Sequence, residues 1–263
     1  MHSDAFDRYH DTESFIHHLD PRVKVVVTIA FILSNALLPD GAWLAFGLAW
    51  LFLLLVNALS RLGLMFTFKR SFVALPFALV AITVLFSIPG EPISTFHFLM
   101  WKLTITDMGL LRFMSILVRS WLSVQMAIML VAVARFPDIV HALEHLRVPS
   151  ILTTIIAFLY RYLFVLVDEV FRLLRAREAR SAAAAGSRSG GSVAWRARVA
   201  GNMAGQLFLR SYERSDRVYN AMLARGYAGH LMTINPHELR NIDYLTAVLA
   251  ISLILLLQVI GRL

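Results

Sequence analysis

Five long apolar runs constrain the fold of this chain, four of them in its first half and the fifth at its end. Each is close to the 17–25 or so residues that a helix needs to cross a bilayer. The runs are Val23 to Leu38, Ala42 to Leu59, Phe72 to Ile88, Met108 to Ala134 and Tyr244 to Ile260. Spanning segments must satisfy their own backbone hydrogen bonds. The sequence therefore predicts an all-α membrane protein with about five transmembrane helices.

Composition agrees with this class. Hydrophobic residues make up 58% and charged residues 16% of the 263 residues, against roughly 45–50% and about 25% in ordinary soluble domains. The chain contains no cysteine, so it has neither disulfides nor thiolate metal sites. Its first twenty residues are polar and lack the apolar core of a signal peptide.

Lysine and arginine are distributed unevenly along the chain, and this predicts its orientation. The net charge is +8, and in a membrane protein such an excess marks cytoplasmic segments rather than a nucleic-acid partner. The positive-inside rule places the N-terminus and the stretch 60–71 on the cytoplasmic side of the membrane. It places the turn 39–41 and the stretch 90–107 on the opposite side. Everything between Ala134 and the last span lies inside, provided that the ambiguous run Ile151 to Val167 does not cross.

These assignments divide the chain into four parts. They are a cytoplasmic N-terminal segment 1–22, a four-helix transmembrane region 23–135, a cytoplasmic or interfacial helical domain 136–241, and a C-terminal transmembrane helix 242–263. The helical domain contains a Gly/Ser-rich stretch at 181–193 that predicts a flexible loop. Before the loop, we expect a long helix from about Ile151 to Arg180. A charged stripe of Arg161, Asp168, Arg172 and Arg175 runs along it, with Asp168 and Arg172 spaced for a helical ion pair.

After the loop, Ala194 to Arg225 is amphipathic at helical spacing. The apolar half of the wheel carries Leu207, Phe208, Ser211, Tyr212, Ser215, Val218, Tyr219, Met222 and Leu223. The polar half carries Arg210, Glu213, Arg214, Asp216, Arg217 and Asn220. Gly226 fits the C′ position that ends a helix, and Arg225 is placed favourably for the helix dipole.

Several motifs together resemble a known family. They are Ser211 to Tyr227 with Ala224-Arg225-Gly226, Arg161-Tyr162 through Glu169 to Ala176-Arg177, Leu19 to Lys24, and Leu143, Leu146 and Pro149. Nearly the whole chain resembles the T component of energy-coupling-factor (ECF) transporters, the EcfT/CbiQ family, and most closely its CbiQ/NikQ branch from cobalt and nickel uptake. The resemblance implies a multi-pass protein of the bacterial inner membrane with a cytoplasmic N-terminus.

The resemblance also implies partners. Family members couple two cytosolic ATP-binding-cassette ATPases (CbiO-like) to a substrate-binding membrane subunit (CbiM-like), with a small accessory membrane subunit (CbiN-like) in some systems. Membrane lipid surrounds the assembly, and nucleic acid has no part in it. ATP and Mg²⁺ are held by the ATPases, and this chain binds no cofactor or metal. It has no Walker-type motif, so we expect a non-catalytic subunit. Its cargo is cobalt or nickel, linked to cobalamin biosynthesis, or alternatively a vitamin.

The resemblance assigns two sets of site residues. Contact with the ATPases falls to Ala176, Arg177 and Glu178 and to Ala224, Arg225 and Gly226. Packing of the two coupling helices, or holding of the substrate subunit, falls to Leu207, Phe208, Tyr212 and Tyr219. Arginine suits the ATPase contact because its planar fork donates several hydrogen bonds at once. The first motif is Ala-Arg-Glu rather than Ala-Arg-Gly, and Arg180 competes with Arg177 as the first coupling arginine.

Two other functions stay open at this point. His141-Ala-Leu-Glu144-His145 matches the H-x-x-E-H pattern of one zinc-peptidase class, with Glu213 or Glu238 as a conceivable third ligand. A stand-alone channel or carrier would transport without any ATPase. Arg112 and Arg119 lie on one face of the fourth span, where an intramembrane charge suggests function. With no acidic residue inside a span to pair with Arg119, we expect a structural role for it.

Overall fold

The computed structural model describes residues 9, 14–89, 91–98, 101–180, 192–229 and 239–263. Nine α-helices, one 3₁₀ turn and one β-hairpin lie within this part of the chain. In chain order they are α1 (Pro21–Ala36), α2 (Trp43–Ser60), α3 (Leu64–Arg70), the 3₁₀ turn (Ser71–Ala74), α4 (Leu75–Ser87), β1 (Pro92–Phe98), β2 (Trp101–Thr106), α5 (Asp107–Val133), α6 (Phe136–His145), α7 (Ser150–Arg180), α8 (Val193–Ala224) and α9 (Asn241–Ile260). The predicted all-α membrane class is confirmed.

The chain forms two compact units. The first comprises Met1–Ala142 and Pro236–Leu263, and the second comprises Leu143–Asn235. The predicted N-terminal segment and the predicted loop 181–193 fall largely outside the described residues. The proposed boundaries and sidedness of the four parts of the chain stay predictions, because no membrane is present in the structure.

The core of the first unit is built by α1, α2, α5 and α9. Phe31 of α1 stacks on Phe52 of α2 with 5.5 Å between ring centroids, and Leu122 of α5 is fully buried beside them. The outward faces of the same helices are equally apolar, with Leu51, Val248 and other large side chains exposed. Helices that are apolar on both their inner and outer faces are typical of a bundle surrounded by lipid.

Among the described residues, four single helices are long and apolar enough to cross a bilayer: α2, α5, α7 and α9. This set lacks α1 and the third predicted run, and it adds α7. α1 has only 16 residues, about 24 Å at 1.5 Å per residue, which is shorter than the roughly 30 Å hydrocarbon core. α7 passes the same length and hydropathy criteria. The prediction that α7 lies along the inner interface remains untested.

The third predicted span is bent. Leu64–Ala74 and Leu79–Ser87 meet at 58°, as in a broken span or a re-entrant loop, and the described residues contain five candidate spans if the pair is counted as one. After α4, β1 and β2 pair antiparallel, with Phe96 opposite Leu103. Thr106 then caps α5, since its hydroxyl oxygen accepts a hydrogen bond from the Gly109 amide at 3.1 Å.

Buried carboxylates hold the start of α1 against the start of α9. Asp20 caps α1 by accepting a hydrogen bond from the Arg22 amide at 2.8 Å, and Pro21 occupies the first turn. The carboxylate of Asp243 accepts from the Asp20 amide at 3.0 Å and from the Arg240 amide at 2.9 Å. One carboxylate on α9 therefore satisfies backbone donors at the starts of two helices. This explains Asp20 in the motif Leu19 to Lys24 in structural terms.

Asp243→Ala is expected to destabilise the first unit. Asp243 is only 2% exposed, and its removal leaves two backbone N–H groups without their acceptor, at a cost of roughly 1.5–3 kcal/mol. The measurement is thermal unfolding of the purified chain in detergent. Asp168→Ala, at an exposed carboxylate on α7, is the matched control and should leave the midpoint unchanged. Equal midpoints for the two variants would refute the anchoring role of Asp243.

The intramembrane arginines have a carboxylate partner that the sequence pattern did not suggest. Arg119 Nη2 donates to the Leu38 carbonyl at 2.8 Å and to Asp40 Oδ1 at 3.0 Å. Arg112 lies 3.5 Å from the other oxygen of the same carboxylate. Asp40 sits in the turn after α1, outside any span. The pairing supports the structural role expected for Arg119, since it fixes α5 to the turn between α1 and α2.

Candidate functional site

The second unit contains the two helices that carry the predicted site residues. α7 has 31 residues and α8 has 32, so each is about 46–48 Å long. α8 begins at Ser192, whose hydroxyl oxygen accepts a hydrogen bond from the Trp195 amide at 3.3 Å. The long helix predicted from about Ile151 to Arg180 coincides with α7.

One stripe of α8 is partly buried, and it is narrower than the predicted apolar half. It recurs every three or four residues, as expected for one helix face. Its members are Val199, Met203, Leu207, Ser211, Arg214, Val218 and Met222. Arg214, assigned to the polar half from the wheel, belongs to this stripe. The wheel misplaced it because a neighbouring helix covers only a strip of the apolar half.

The four predicted packing residues divide into two pairs. Leu207 lines a polar cavity between α7 and α8, and Tyr219 lines an apolar groove between the same helices. Phe208 and Tyr212 line neither, and they are 69% and 67% exposed. Phe208 and Tyr212 therefore present an exposed apolar surface on α8 outside the two cavities that it forms with α7. Whether that surface holds another subunit stays a prediction.

Glu169 of α7 is paired with one arginine of α8 and with one of its own helix. One carboxylate oxygen accepts a hydrogen bond from Arg210 of α8, and the other lies 3.8 Å from Arg172 Nη1. The Glu169 side chain is only 15% exposed, whereas both arginine heads reach solvent. The predicted ion pair of Arg172 with Asp168 is wrong. Arg172 pairs with Glu169, the carboxylate one residue further along, which faces α8 while Asp168 faces solvent.

The C-terminal end of α8 is fixed by a complete Schellman motif. The Gly226 amide donates to the Leu223 carbonyl and the Tyr227 amide to the Met222 carbonyl, both at 3.0 Å. Gly226 adopts a φ of +81°, so the predicted C′ position is confirmed. Arg225 is the exposed residue at the helix end. Its side chain has no ion-pair partner in the described parts of the chain, so the motif presents a free guanidinium at a defined point.

Replacing Gly226 should fray this end. Gly226→Ala puts a Cβ on a left-handed residue, which costs about 1 kcal/mol, and hydrogen exchange of the amides of the last turn should rise about fivefold. Gly205→Ala is the matched control. Gly205 lies inside α8 with open space where a Cβ would be, so there alanine should slow exchange. If hydrogen exchange became faster in both variants, or slower in both, the capping role of Gly226 would be contradicted.

The Ala176-Arg177-Glu178 motif differs from Ala224-Arg225-Gly226 in one respect. The predicted helix runs to about Arg180, and α7 continues past this motif to that residue. Nothing in the motif can stop the helix, because Glu178 occupies the place that Gly226 has in α8. Arg177 is half-buried, whereas Arg180 is exposed at the helix end. The exposed position therefore favours Arg180 as the counterpart of Arg225.

An apolar groove of about 380 Å³ runs between α7 and α8. Phe158, Leu159 and Leu166 form its α7 side, and Val218 and Met222 form part of its α8 side. A second, polar cavity of about 220 Å³ shares Leu166, Ser211 and Arg214 with it and also contains Glu169, Arg210, Glu213 and Arg217. The apolar groove thus opens into a charged one, and Arg214 lies where they meet.

A metal site at His141, Glu144 and His145 finds no support in the described residues. No group of three or more His, Cys, Asp or Glu side chains in this part of the chain is arranged to hold a metal ion. Glu213 lies on α8, where it lines the polar cavity with Glu169. Glu238 lies outside the described residues.

The sequence pattern gave little indication of Arg210 and Arg214. The partner of Arg210 is Glu169 on another helix, 41 residues away, and Arg214 is covered by that same helix, so helical periodicity within α8 reveals neither contact. The sequence did point to Glu169, because this residue falls inside a motif that carries the family resemblance.

Comparison with known proteins gives consistent matches over most of the chain. Residues 12–234 match the family described as CbiQ, cobalt transport protein. An uncharacterized protein of Methanocaldococcus jannaschii is 25% identical over 98% of this chain and 86% of its own length. The energy-coupling factor transporter transmembrane protein EcfT of Brevibacillus brevis is 24% identical over 98% and 97%, and that of Acidaminococcus fermentans is 27% identical over 95% and 94%.

Proposed function

The chain belongs to the CbiQ cobalt transport protein family, and on that basis we propose that it couples ATP hydrolysis to substrate uptake in an ECF importer. It is an EcfT-type transmembrane component of the cell membrane. In the proposed assembly it joins two cytosolic ATPases to a substrate-binding membrane subunit. The N-terminus lies in the cytoplasm, as the distribution of lysine and arginine predicts.

The observation that carries the proposal is the end of α8. A Schellman motif fixes the helix terminus, and Arg225 extends from it with no ion-pair partner among the residues that the structure describes. A free guanidinium at a fixed position is suited to a carboxylate, or to the carbonyl groups at a helix end, on a partner. An arginine on a frayed end would lose more conformational entropy on binding. Arg180, at the end of α7, is the second candidate for such a contact.

Motion would pass through the α7–α8 pair. ATP binding brings the two ATPases together, and each ATPase holds the end of one coupling helix. The ion pair of Glu169 with Arg210 connects α7 to α8 partway along both helices. Displacement of one helix end is thereby converted into a change of angle between the helices. The exposed Phe208 and Tyr212 lie on α8 where such a change would alter a surface offered to the substrate subunit.

The cargo is proposed to be cobalt or nickel, because the family description names cobalt transport. The EcfT relatives carry no cargo in their names, so a vitamin is the second candidate. The residues that select the cargo would belong to the substrate subunit. This chain would have no catalytic role, and ATP with Mg²⁺ would be bound by the ATPases, since its sequence contains no Walker-type motif.

Co-purification tests the proposed assembly. The tagged chain, expressed with its native operon in mild detergent, should bring down two ATPase subunits and one small substrate-binding membrane protein. Bound metal should appear only when the substrate subunit is present. Recovery of the chain alone would contradict the proposal, as would ATP turnover by the isolated chain.

A further inference from the structure

The groove between α7 and α8 changes in polarity along its length. Its apolar part is lined from α7 by Phe158 through Leu166, and its charged part begins at Glu169. α7 contains a window that is apolar enough to lie in a bilayer, and all of its charged residues except Arg161 lie from Asp168 onward. The groove therefore follows the helix from a hydrocarbon-compatible region to a water-compatible one. An amphiphile at a membrane interface presents its parts in the same order.

Arg214 lies where the two parts meet. It lines both the apolar groove and the polar cavity and is partly buried. Within the residues that the structure describes, its guanidinium has no carboxylate partner. The residue is only half-buried, and its nitrogens still reach solvent. A guanidinium that is accessible and has no carboxylate partner can accept an anion supplied from outside the chain.

The other charges lining the polar cavity favour an anion over a cation. Three arginines, Arg210, Arg214 and Arg217, face two glutamates there. Glu169 is already paired with Arg210 and Arg172, so Glu213 is the remaining carboxylate. Arginine forks bind phosphate through two parallel hydrogen bonds. A phosphate at Arg214 would also lie near Ser211, which lines the same two cavities.

The size of the apolar part fits a hydrocarbon chain. Its volume of about 380 Å³ falls within the roughly 300–1,000 Å³ of small-molecule sites. The exposed apolar surface of Phe208 and Tyr212 lies outside the groove, so a protein partner on α8 does not need the groove. We propose that the α7–α8 groove binds one anionic phospholipid, with an acyl chain on the apolar side chains and the phosphate on Arg214. The apolar part is also lined by Met222 and Tyr227 of the helix cap next to Arg225, so the lipid would lie beside the proposed ATPase contact.

The test uses the full chain purified in detergent and native mass spectrometry. Phosphatidylglycerol and phosphatidylcholine with the same acyl chains are added separately. Wild type should retain one phosphatidylglycerol and little phosphatidylcholine, and Arg214→Gln should weaken phosphatidylglycerol retention about tenfold. The matched control is Arg198→Gln, an exposed arginine of α8 that lines neither cavity, and it should retain the lipid.

A steric variant checks the acyl chain separately. Ser215→Phe places a large side chain in the apolar groove and should lower lipid retention, whereas Asn220→Phe, on an exposed position of α8 that lines neither cavity, should not. Soluble glycerol phosphate should not compete, because the headgroup alone lacks the acyl contact. Circular dichroism confirms that each variant is helical.

Several results would overturn the inference. The inference fails if wild type retains the two lipids equally, or if Arg214→Gln and Arg198→Gln lose phosphatidylglycerol to the same extent. It also fails if Ser215→Phe retains the lipid fully, or if glycerol phosphate displaces the bound lipid. A groove that takes up no lipid but is protected from hydrogen exchange by an added ATPase subunit would belong to a protein partner, which also overturns it.

Discussion

Arg225→Glu is expected to abolish ATP-driven uptake while leaving the chain folded. Arg225 is exposed and makes no ion pair within the described residues, so its replacement removes nothing from the chain's own packing. At the proposed interface, reversal of its charge should cost at least about 2 kcal/mol, which weakens ATPase binding by about 30-fold or more. The measurement is affinity of the detergent-purified ATPases for the chain, together with uptake by reconstituted complexes.

Two variants serve as controls for this prediction. Arg225→Lys keeps the charge but loses the fork, so it should retain part of the affinity. Arg198→Glu reverses a charge on an exposed part of α8 away from its C-terminal end and should bind the ATPases normally. If Arg198→Glu is as weak as Arg225→Glu, the ATPases recognise only the net charge of α8, and the motif has no specific role.

The second large effect is expected at the ion pair between the helices. Glu169→Gln and Arg210→Gln should each lower uptake per ATP hydrolysed, because α7 and α8 would no longer move together. The Glu169 carboxylate is largely buried, whereas Arg210 is not. Because both changes remove the charged hydrogen bond of that buried carboxylate, each should lower the free energy of unfolding by roughly 1–3 kcal/mol. The double variant should lose little more than either single variant, since both remove the same interaction. The measurements are coupled transport and stability in a double-mutant cycle.

Arg175→Gln is the matched control for the cycle. Arg175 is an exposed arginine of α7 that lines neither cavity, and its loss should combine additively with Glu169→Gln. The proposed connection between α7 and α8 is contradicted if the effects of Glu169→Gln and Arg210→Gln on stability are fully additive in the double-mutant cycle. It also fails if the ratio of uptake to ATP hydrolysis stays at the wild-type value in both single variants.

How far the sequence predicted the fold depended on whether the signal was local. The runs that became α2, α5 and α9 and the C′ position of Gly226 follow from hydropathy or from residues within one turn, and they are confirmed. α1 has only 16 residues, which is short for a span, so its assignment as a transmembrane helix stays a prediction. The continuation of α7 past Arg177 followed from the absence of any residue there that stops a helix.

The candidate site depended mainly on contacts between helices, and these were less predictable. A helical wheel places Arg214 among polar residues, but the angle at which α8 meets α7 determines which part of the apolar half is covered. Asp168 and Glu169 are adjacent carboxylates, and only the position of α8 decides that Glu169 is the paired one. Asp40 likewise could not be matched to Arg119, because the contact joins a turn to a helix some 80 residues later.

The most direct test of the coupling role is transport in proteoliposomes of defined composition. Labelled cobalt uptake and ATP hydrolysis are measured with the ATPases and the substrate subunit, in the presence and absence of this chain. Uptake should require ATP and this chain together, and with Arg225→Glu it should fall to the level seen without the chain. ATP-driven uptake in the absence of the chain would contradict the coupling role, as would cobalt movement through the chain alone without ATPases.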